Sequence, residues 1–226
     1  MFGLGAQEWE AVWLSLQVAS VATICALPLA IWVAFLLARR EFAGKQFLNA
    51  LVHLPLILPP VVTGYLLLLS FGAQGVIGRW LETIGIVLAF RWTGAVLAAG
   101  IMAFPLMVRA IRLGIEAVDP TLEEAALTLG KSPLAVFRTI TLPLCLPAIL
   151  AGAVLAFAKA LGEFGATITF VASIPGETRT LPSAIYAFLQ VPGAEGSAIR
   201  LTVIAVIIAV AALVLSEWLA RRAVRR

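Results

Sequence analysis

Residues 124–143 read EAALTLGKSPLAVFRTITLP and lie between two long apolar stretches of the chain. Local signals predict a short helix on each side of a glycine in this part of the sequence. Asp119, followed by proline, is a good N-cap for the first helix. Gly130 ends that helix, because glycine adopts the left-handed conformation at little cost. Ser132, again followed by proline, starts the second helix. The sequence therefore predicts a helix, a glycine corner and another helix, held between membrane segments.

The spacing inside this segment is Glu-Ala-Ala, three residues, Gly, nine residues, Ile-x-Leu-Pro. It resembles the EAA loop of the permeases of ABC-type importers, in which the loop forms the cytoplasmic coupling helices that dock into a groove on the ATPase subunit. An ordinary amphipathic loop helix with a glycine stop is the alternative reading of the motif. The resemblance implies an ATPase-coupling role for eight residues: Glu124, Ala125, Ala126, Gly130, Phe137, Ile140, Leu142 and Pro143.

A second motif overlaps the first, since Gly130, Lys131 and Ser132 look like the end of a phosphate-binding loop. That motif needs another glycine five residues earlier, and position 125 is alanine. It also needs a preceding strand, where the sequence predicts a helix. We therefore expect no cofactor on this chain, and the resemblance assigns ATP and magnesium to a separate partner subunit.

Composition identifies a membrane protein. The 226 residues are 62% hydrophobic and only 12% charged, with a mean hydropathy of +1.05. Long apolar runs with so few charges predict an all-α integral membrane protein that crosses the bilayer several times. The chain reads as a single domain with about five spans and one cytoplasmic coupling loop at 109–141. The spans are expected at 12–37, 48–71, 92–108, 142–164 and 201–219.

Lysines and arginines predict the orientation. Eleven of them flank one side of the spans, three after the first span, four within 109–141 and four at the C-terminus, whereas four lie on the other side. The positive-inside rule then puts the coupling loop and the C-terminus in the cytoplasm and the N-terminus outside. The lipid bilayer, here a prokaryotic inner membrane, explains this basic bias, so the net charge of +4 does not indicate nucleic acid.

Prolines mark the second span, which reads HLPLILPPVVTGY over residues 53–65. Pro55, Pro59 and Pro60 interrupt helical hydrogen bonding, and lipid does not tolerate the freed carbonyls unless protein or water satisfies them. This part is therefore expected to face the bundle or a translocation path. A merely kinked span is the alternative.

Charge marks the fourth span. Lys159 and Glu163 are four residues apart, which predicts a pair on one helical face. Charges at membrane depth usually face a partner or a watery cavity. A structural ion pair that fixes helix packing is the alternative, and we assign Glu163 to packing or gating. Gly162 and Gly165 permit close approach or a bend.

An anion path needs hydrogen-bond donors and positive potential, which several side chains could supply. The sequence offers Lys159, Arg179 and the hydroxyl groups of Thr63, Thr167 or Thr169. Such a site should be weak, because a tight one would retain the ion.

Nearly the whole chain resembles the permeases of ABC importers for molybdate, tungstate and sulfate, and its short length fits the molybdate members. The resemblance covers LPLILPPVVTGYLLL (54–68), FPLMVRAIRLGIEAVD (104–119), the EAA segment, LGEFGATITFVASIPGETRTLPSAIY (161–186) and SEWLARR (216–222). It implies a type I importer permease that works as a homodimer with two copies of a cytoplasmic ATPase. It also implies an extracytoplasmic oxyanion-binding protein, and it leaves molybdate, tungstate and sulfate open as substrates.

Two other classes of protein fit the sequence less well. A membrane-embedded enzyme would need a catalytic set, but the chain has one histidine, no HExxH and no nucleophile elbow. We therefore predict neither a catalytic residue nor a metal site. A channel or carrier that works without an ATPase is the remaining alternative, and transport measured with and without the ATPase distinguishes it.

Overall fold

The computed structural model describes residues 4–224, and that part of the chain contains helices and connecting segments but no strand. The all-α prediction is therefore confirmed. The helices are α1 (Ala6–Arg39), α2 (Lys45–Ile57), α3 (Pro60–Phe71), α4 (Val76–Thr83), α5 (Trp92–Glu116), α6 (Pro120–Thr128), α7 (Pro133–Val136), α8 (Leu142–Leu161), α9 (Gly165–Val171), α10 (Leu181–Leu189) and α11 (Glu195–Val224), with a π-helical turn at Phe137–Thr141 between α7 and α8.

Four helical stretches are long and apolar enough to cross a membrane: Ala6–Arg39, Trp92–Glu116, Pro133–Leu161 and Glu195–Leu215. Helices α2 and α3 pass the same test only together, and they meet at an angle of 113°. They make a fifth span if the bent pair counts as one. The expectation of about five spans agrees with this count.

The second predicted span, 48–71, is not a continuous helix. Helix α2 ends at Ile57, and α3 begins at Pro60. Neither Pro59 nor Pro60 has a backbone N–H, so the ladder of helical hydrogen bonds is interrupted and the chain turns there. The carbonyl of Pro59 then accepts hydrogen bonds from Val62 (2.9 Å) and Thr63 (3.2 Å) and so starts the new helix.

Several helices extend beyond the apolar runs that predicted them. Helix α5 continues past position 108 to Glu116, because Ile111 and Ile115 remain fully buried against the bundle, while Arg109 and Leu113 on the other side of the helix are exposed. The segment between the predicted spans 48–71 and 92–108 contains α4. An apolar run in the sequence shows which part of a helix contacts lipid or the core. The backbone hydrogen bonds of the helix can continue beyond that run into water.

The core lies between α1, α5 and α8, where small side chains bring the helices together. Ala19, Ala22 and Ala34 of α1 and Ala98 and Ala99 of α5 are almost completely buried. Small residues allow close backbone approach between membrane helices, so van der Waals contact is extensive. This three-helix core supports α9 and the loop that precedes α6.

A smaller cluster connects α10 and α11 to the beginning of α1. It contains Ala11, Leu181 and Leu201. The hydroxyl of Ser15 accepts a buried hydrogen bond from the Leu181 N–H at 2.6 Å. These contacts hold the last helix against the first.

Candidate coupling loop and translocation path

The glycine corner forms as the sequence predicts. The Asp119 carboxylate accepts a hydrogen bond from the Thr121 N–H at 2.9 Å and caps α6, and this bond lowers the pKa of Asp119 below its ordinary value. At the other end, Gly130 has φ +82° and donates its N–H to the Leu127 carbonyl (3.0 Å). Lys131 donates to the Ala126 carbonyl (3.1 Å), which completes a Schellman motif.

The second predicted helix is not separate from the fourth span. Ser132 caps α7 by accepting from the Ala135 N–H at 3.3 Å, as expected. The helix then passes through the π-helical turn into α8 without a break. In that turn the Leu142 N–H bonds to the Phe137 carbonyl, five residues back, and this wider turn accommodates Pro143, which has no N–H to donate. The corner is therefore attached directly to a membrane helix.

Sequence reasoning missed the role of Glu123, which directly precedes the Glu-Ala-Ala motif. One carboxylate oxygen of Glu123 lies 3.1 Å from Arg39 Nε at the end of α1. The other accepts a hydrogen bond from the Thr141 hydroxyl at 2.6 Å. Arg39 also donates to the Val118 carbonyl at 2.8 Å. Glu123 thus ties α6 to two membrane helices, through partners that are distant in sequence.

The eight predicted coupling residues divide into two groups. Glu124, Ala125, Gly130 and Pro143 are exposed. Ala126 is buried, and Phe137, Ile140 and Leu142 are half-buried. The ring of Phe137 packs edge-on against Phe35 of α1 with 4.9 Å between centroids. The inward group can hold the corner against the bundle, and the outward group offers most of the surface for contact with another protein.

The proline-rich break between α2 and α3 lies beside the second break in the chain, between α8 and α9. A Cβ on Gly165 would come within 2.7 Å of the Pro60 Cβ, and one on Gly64 within 2.5 Å of the Ala166 carbonyl oxygen. Each short helix therefore needs a glycine where it crosses the other. Sequence reasoning did not single out Gly64, although a glycine that soon follows two prolines in an apolar stretch is the signal for such a contact.

Lys159 and Glu163 form the predicted ion pair, with 2.7 Å between Nζ and Oε2. The premise of one helical face was wrong, because α8 ends at Leu161 and Glu163 lies in the break before α9. The second oxygen of Glu163 accepts from the Ala166 N–H at 3.0 Å. Gly162, at the C-cap of α8, is exposed. The carboxylate thus bridges the end of α8 and the beginning of α9.

Two of the three threonines proposed for the path already donate their hydroxyl hydrogens to backbone carbonyls of their own segment. Thr167 donates to the Phe164 carbonyl at 2.9 Å, and Thr169 to the Gly165 carbonyl at 2.8 Å. Thr63 is buried, and its hydroxyl has no hydrogen-bond partner in the described part of the chain. Pro59 and Pro60, in contrast, are exposed.

Arg179 follows a turn with an unusual backbone. Ala172 has φ +62°, which a side chain with a Cβ rarely adopts. The buried hydroxyl of Thr178 holds this turn by accepting from the Ile174 N–H (2.9 Å) and donating to the Val171 carbonyl (3.1 Å). The turn therefore fixes the backbone position of Arg179.

The Arg179 side chain lines a cavity of about 250 Å³ beside the start of α1. Gln7, Glu10, Trp13 and Gln17 line the same cavity. Neither Lys159 nor Glu163 lines this cavity, so the two cations predicted for the path do not share it. Within the described part of the chain, no group of three or more His, Cys, Asp or Glu side chains is arranged to hold a metal ion.

Comparison with known proteins agrees with this architecture. Residues 26–225 match the family model "Binding-protein-dependent transport system inner membrane component". The Molybdenum transport system permease protein ModB of Escherichia coli (strain K12) is 60% identical over 95% of this chain and 94% of its own. The protein of the same name from Haemophilus influenzae is 56% identical over 95% of this chain and 94% of its own.

A solved structure with a similar fold is that of a bacterial alginate ABC transporter in complex with an alginate pentasaccharide-bound periplasmic protein. It has a TM-score of 0.76 and 17% identity, and the match covers 96% of this chain and 80% of that one. The fold is therefore that of a membrane subunit of an ABC importer. The chain itself belongs to the family of binding-protein-dependent transport system inner membrane components. It is a multi-pass membrane protein of a transport system.

Proposed function

We propose that this chain is the permease subunit of an ATP-driven importer and forms the translocation path for an oxyanion, molybdate. Its family supports the transport role. Bacterial relatives of 60% and 56% identity are named as molybdenum transport system permease proteins, which supports the substrate.

The observation that carries the coupling role is an apolar surface around the glycine corner. Leu122, Leu127 and Leu129 on one side of the corner and Leu134 on the other are exposed, and the side chain of Leu129 is 84% exposed. Apolar side chains grouped outside the lipid-facing helices indicate a protein partner. A separate ATPase that holds ATP and magnesium fits this surface, with Glu124 and Ala125 at the contact.

The proposed assembly contains two copies of this permease, two ATPase subunits and an extracytoplasmic oxyanion-binding protein. The coupling loop and the C-terminus face the cytoplasm, and the N-terminus lies outside. The excess of lysine and arginine beside the coupling loop and at the C-terminus supports this orientation. The path then lies between the two permease copies, and ATP binding and hydrolysis in the partner drive the change of access.

The test is uptake into proteoliposomes that contain the permease and the ATPase, with the binding protein outside and ATP inside. We expect radioactive molybdate to accumulate only when all three proteins and ATP are present. Tungstate and sulfate, added in excess, measure the specificity. Uptake that persists without the ATPase would indicate a channel or carrier, and uptake of sulfate in preference to molybdate would contradict the proposed substrate.

A further inference from the structure

The two members of the Lys159–Glu163 pair differ sharply in exposure. The Lys159 side chain is 30% exposed, whereas that of Glu163 is 1% exposed. Lys159 lies in the last turn of α8, within one of the stretches apolar enough to span the membrane. An ammonium group is costly against lipid, so we expect its open side to face water or another protein surface.

Glu163 has no free oxygen to offer a substrate. Oε2 accepts from Lys159 and Oε1 from the Ala166 N–H, so both oxygens hold groups of this chain. An ammonium group has three N–H donors, and Glu163 uses one of them. The other donors of Lys159 can reach toward the open side.

The residues next to Lys159 along the chain, 155–158 and 160–162, carry no second charged donor for an anion. Leu155, four residues before Lys159 on the same side of α8, is exposed, and so is Gly162 at the C-cap of that helix. The hydrogens of Thr167 and Thr169 are already donated to carbonyls of their own helix. Arg179 lies in the separate cavity beside α1. Among the donors that the sequence suggested for the path, Lys159 alone combines charge with an open side on a spanning helix.

We propose that Lys159 contacts the oxyanion during translocation and that Glu163 is a positioning residue. Glu163 fixes the ammonium group at the break between α8 and α9, and its negative charge keeps the contact weak enough for the ion to leave. This inference depends on the proposed function, because it assumes that the cargo is an oxyanion and that the path lies between two copies of the chain.

The experiment uses the complete complex with its ATPase and binding protein, in proteoliposomes, with molybdate as the probe. Lys159→Gln should lower the maximal uptake rate by about tenfold or more, as expected for the loss of a hydrogen bond from a charged group. Lys159→Arg should retain most of the uptake. Glu163→Gln keeps an acceptor for the Ala166 N–H but removes the counter-charge. It should lower both the half-saturating molybdate concentration and the maximal rate.

The double variant Lys159→Gln/Glu163→Gln separates contact with the anion from simple pairing. If Lys159 contacts the anion, the double variant assembles but transports as poorly as Lys159→Gln alone. The matched control is Lys45→Gln, which breaks an exposed pair of the same spacing with Glu41 (2.6 Å) and should leave uptake unchanged. Recovery of uptake in the double variant would overturn the inference, as would normal uptake by Lys159→Gln. Absence of uptake by the wild-type complex would instead refute the proposed function.

Discussion

The crossing of α3 and α9 gives the sharpest stability prediction, because each helix has a glycine at the contact and there is no room for a Cβ. In Gly64→Ala the new Cβ would lie 2.5 Å from the Ala166 carbonyl oxygen and 2.9 Å from both the Ala166 Cα and the Thr169 Cβ. Two of these three atoms belong to the backbone, so no flexible side-chain end can move aside. The helices must separate by several tenths of an ångström. Overpacking of this kind costs about 1–3 kcal/mol.

Thermal unfolding of the purified permease in nanodiscs measures this cost. For a chain of this size, each kcal/mol corresponds to a shift of about 2–4 °C in the midpoint. Gly165→Ala should behave like Gly64→Ala, because its Cβ meets the Pro60 Cβ at 2.7 Å. The control is Gly162→Ala, whose nearest neighbour would be the Ala158 carbonyl oxygen at 3.7 Å. A midpoint for Gly64→Ala equal to that of the control would refute the close crossing.

Three further predictions concern the coupling loop. Gly130→Val should reduce both capture of the ATPase and uptake, because a β-branched residue resists φ +82°. The control is Gly193→Val, which has φ +84° and equally open space and should leave capture intact. Equal capture by both variants would contradict the coupling role. After both native cysteines are replaced, Ser132→Cys should react only with reagents on the cytoplasmic side and Gly176→Cys only with reagents outside. The opposite labelling pattern would contradict the proposed orientation. Glu123→Gln should lower the unfolding midpoint, because it weakens the contacts with Arg39 and Thr141. Glu124→Gln, at the exposed neighbouring position, should not lower it. Equal midpoints for the two variants would show that Glu123 does not hold α6 to the membrane helices.

The corner was predictable because its signals are local. Asp119, Gly130 and Ser132 each act on backbone groups within a few residues of themselves, and the structure forms both caps and the left-handed turn as expected. The family motif covers the same residues, so sequence also indicated where a partner would bind. Local chemistry alone does not show which of these side chains turn outward, because the bundle decides that.

The contacts that sequence did not predict join distant parts of the chain. Glu123 contacts Arg39, and Gly64 contacts Ala166. The two residues of each pair are far apart in sequence and lie in different helices or loops, so helical spacing cannot predict the contact. The Lys159–Glu163 pair was predicted from a continuous helix that in fact ends at Leu161. The pair still forms, because the chain after the break turns the carboxylate back toward the lysine. Long-range packing thus decides the close crossing, whereas the break between α2 and α3 follows locally from its two prolines.

One continuous helical stretch connects the two parts of the candidate machinery. It runs from Pro133, just after the corner, to Leu161, just beyond Lys159, and comprises 29 residues. At 1.5 Å per residue it is about 43 Å long, enough to cross the bilayer. We infer that an ATPase that moves the corner at Gly130 moves this stretch as one body. The Glu163 bridge then passes that movement to α9, and the glycine crossing passes it from α9 to α3. The proline-rich break between α2 and α3 is therefore where the moving part of the bundle must separate from the stationary part.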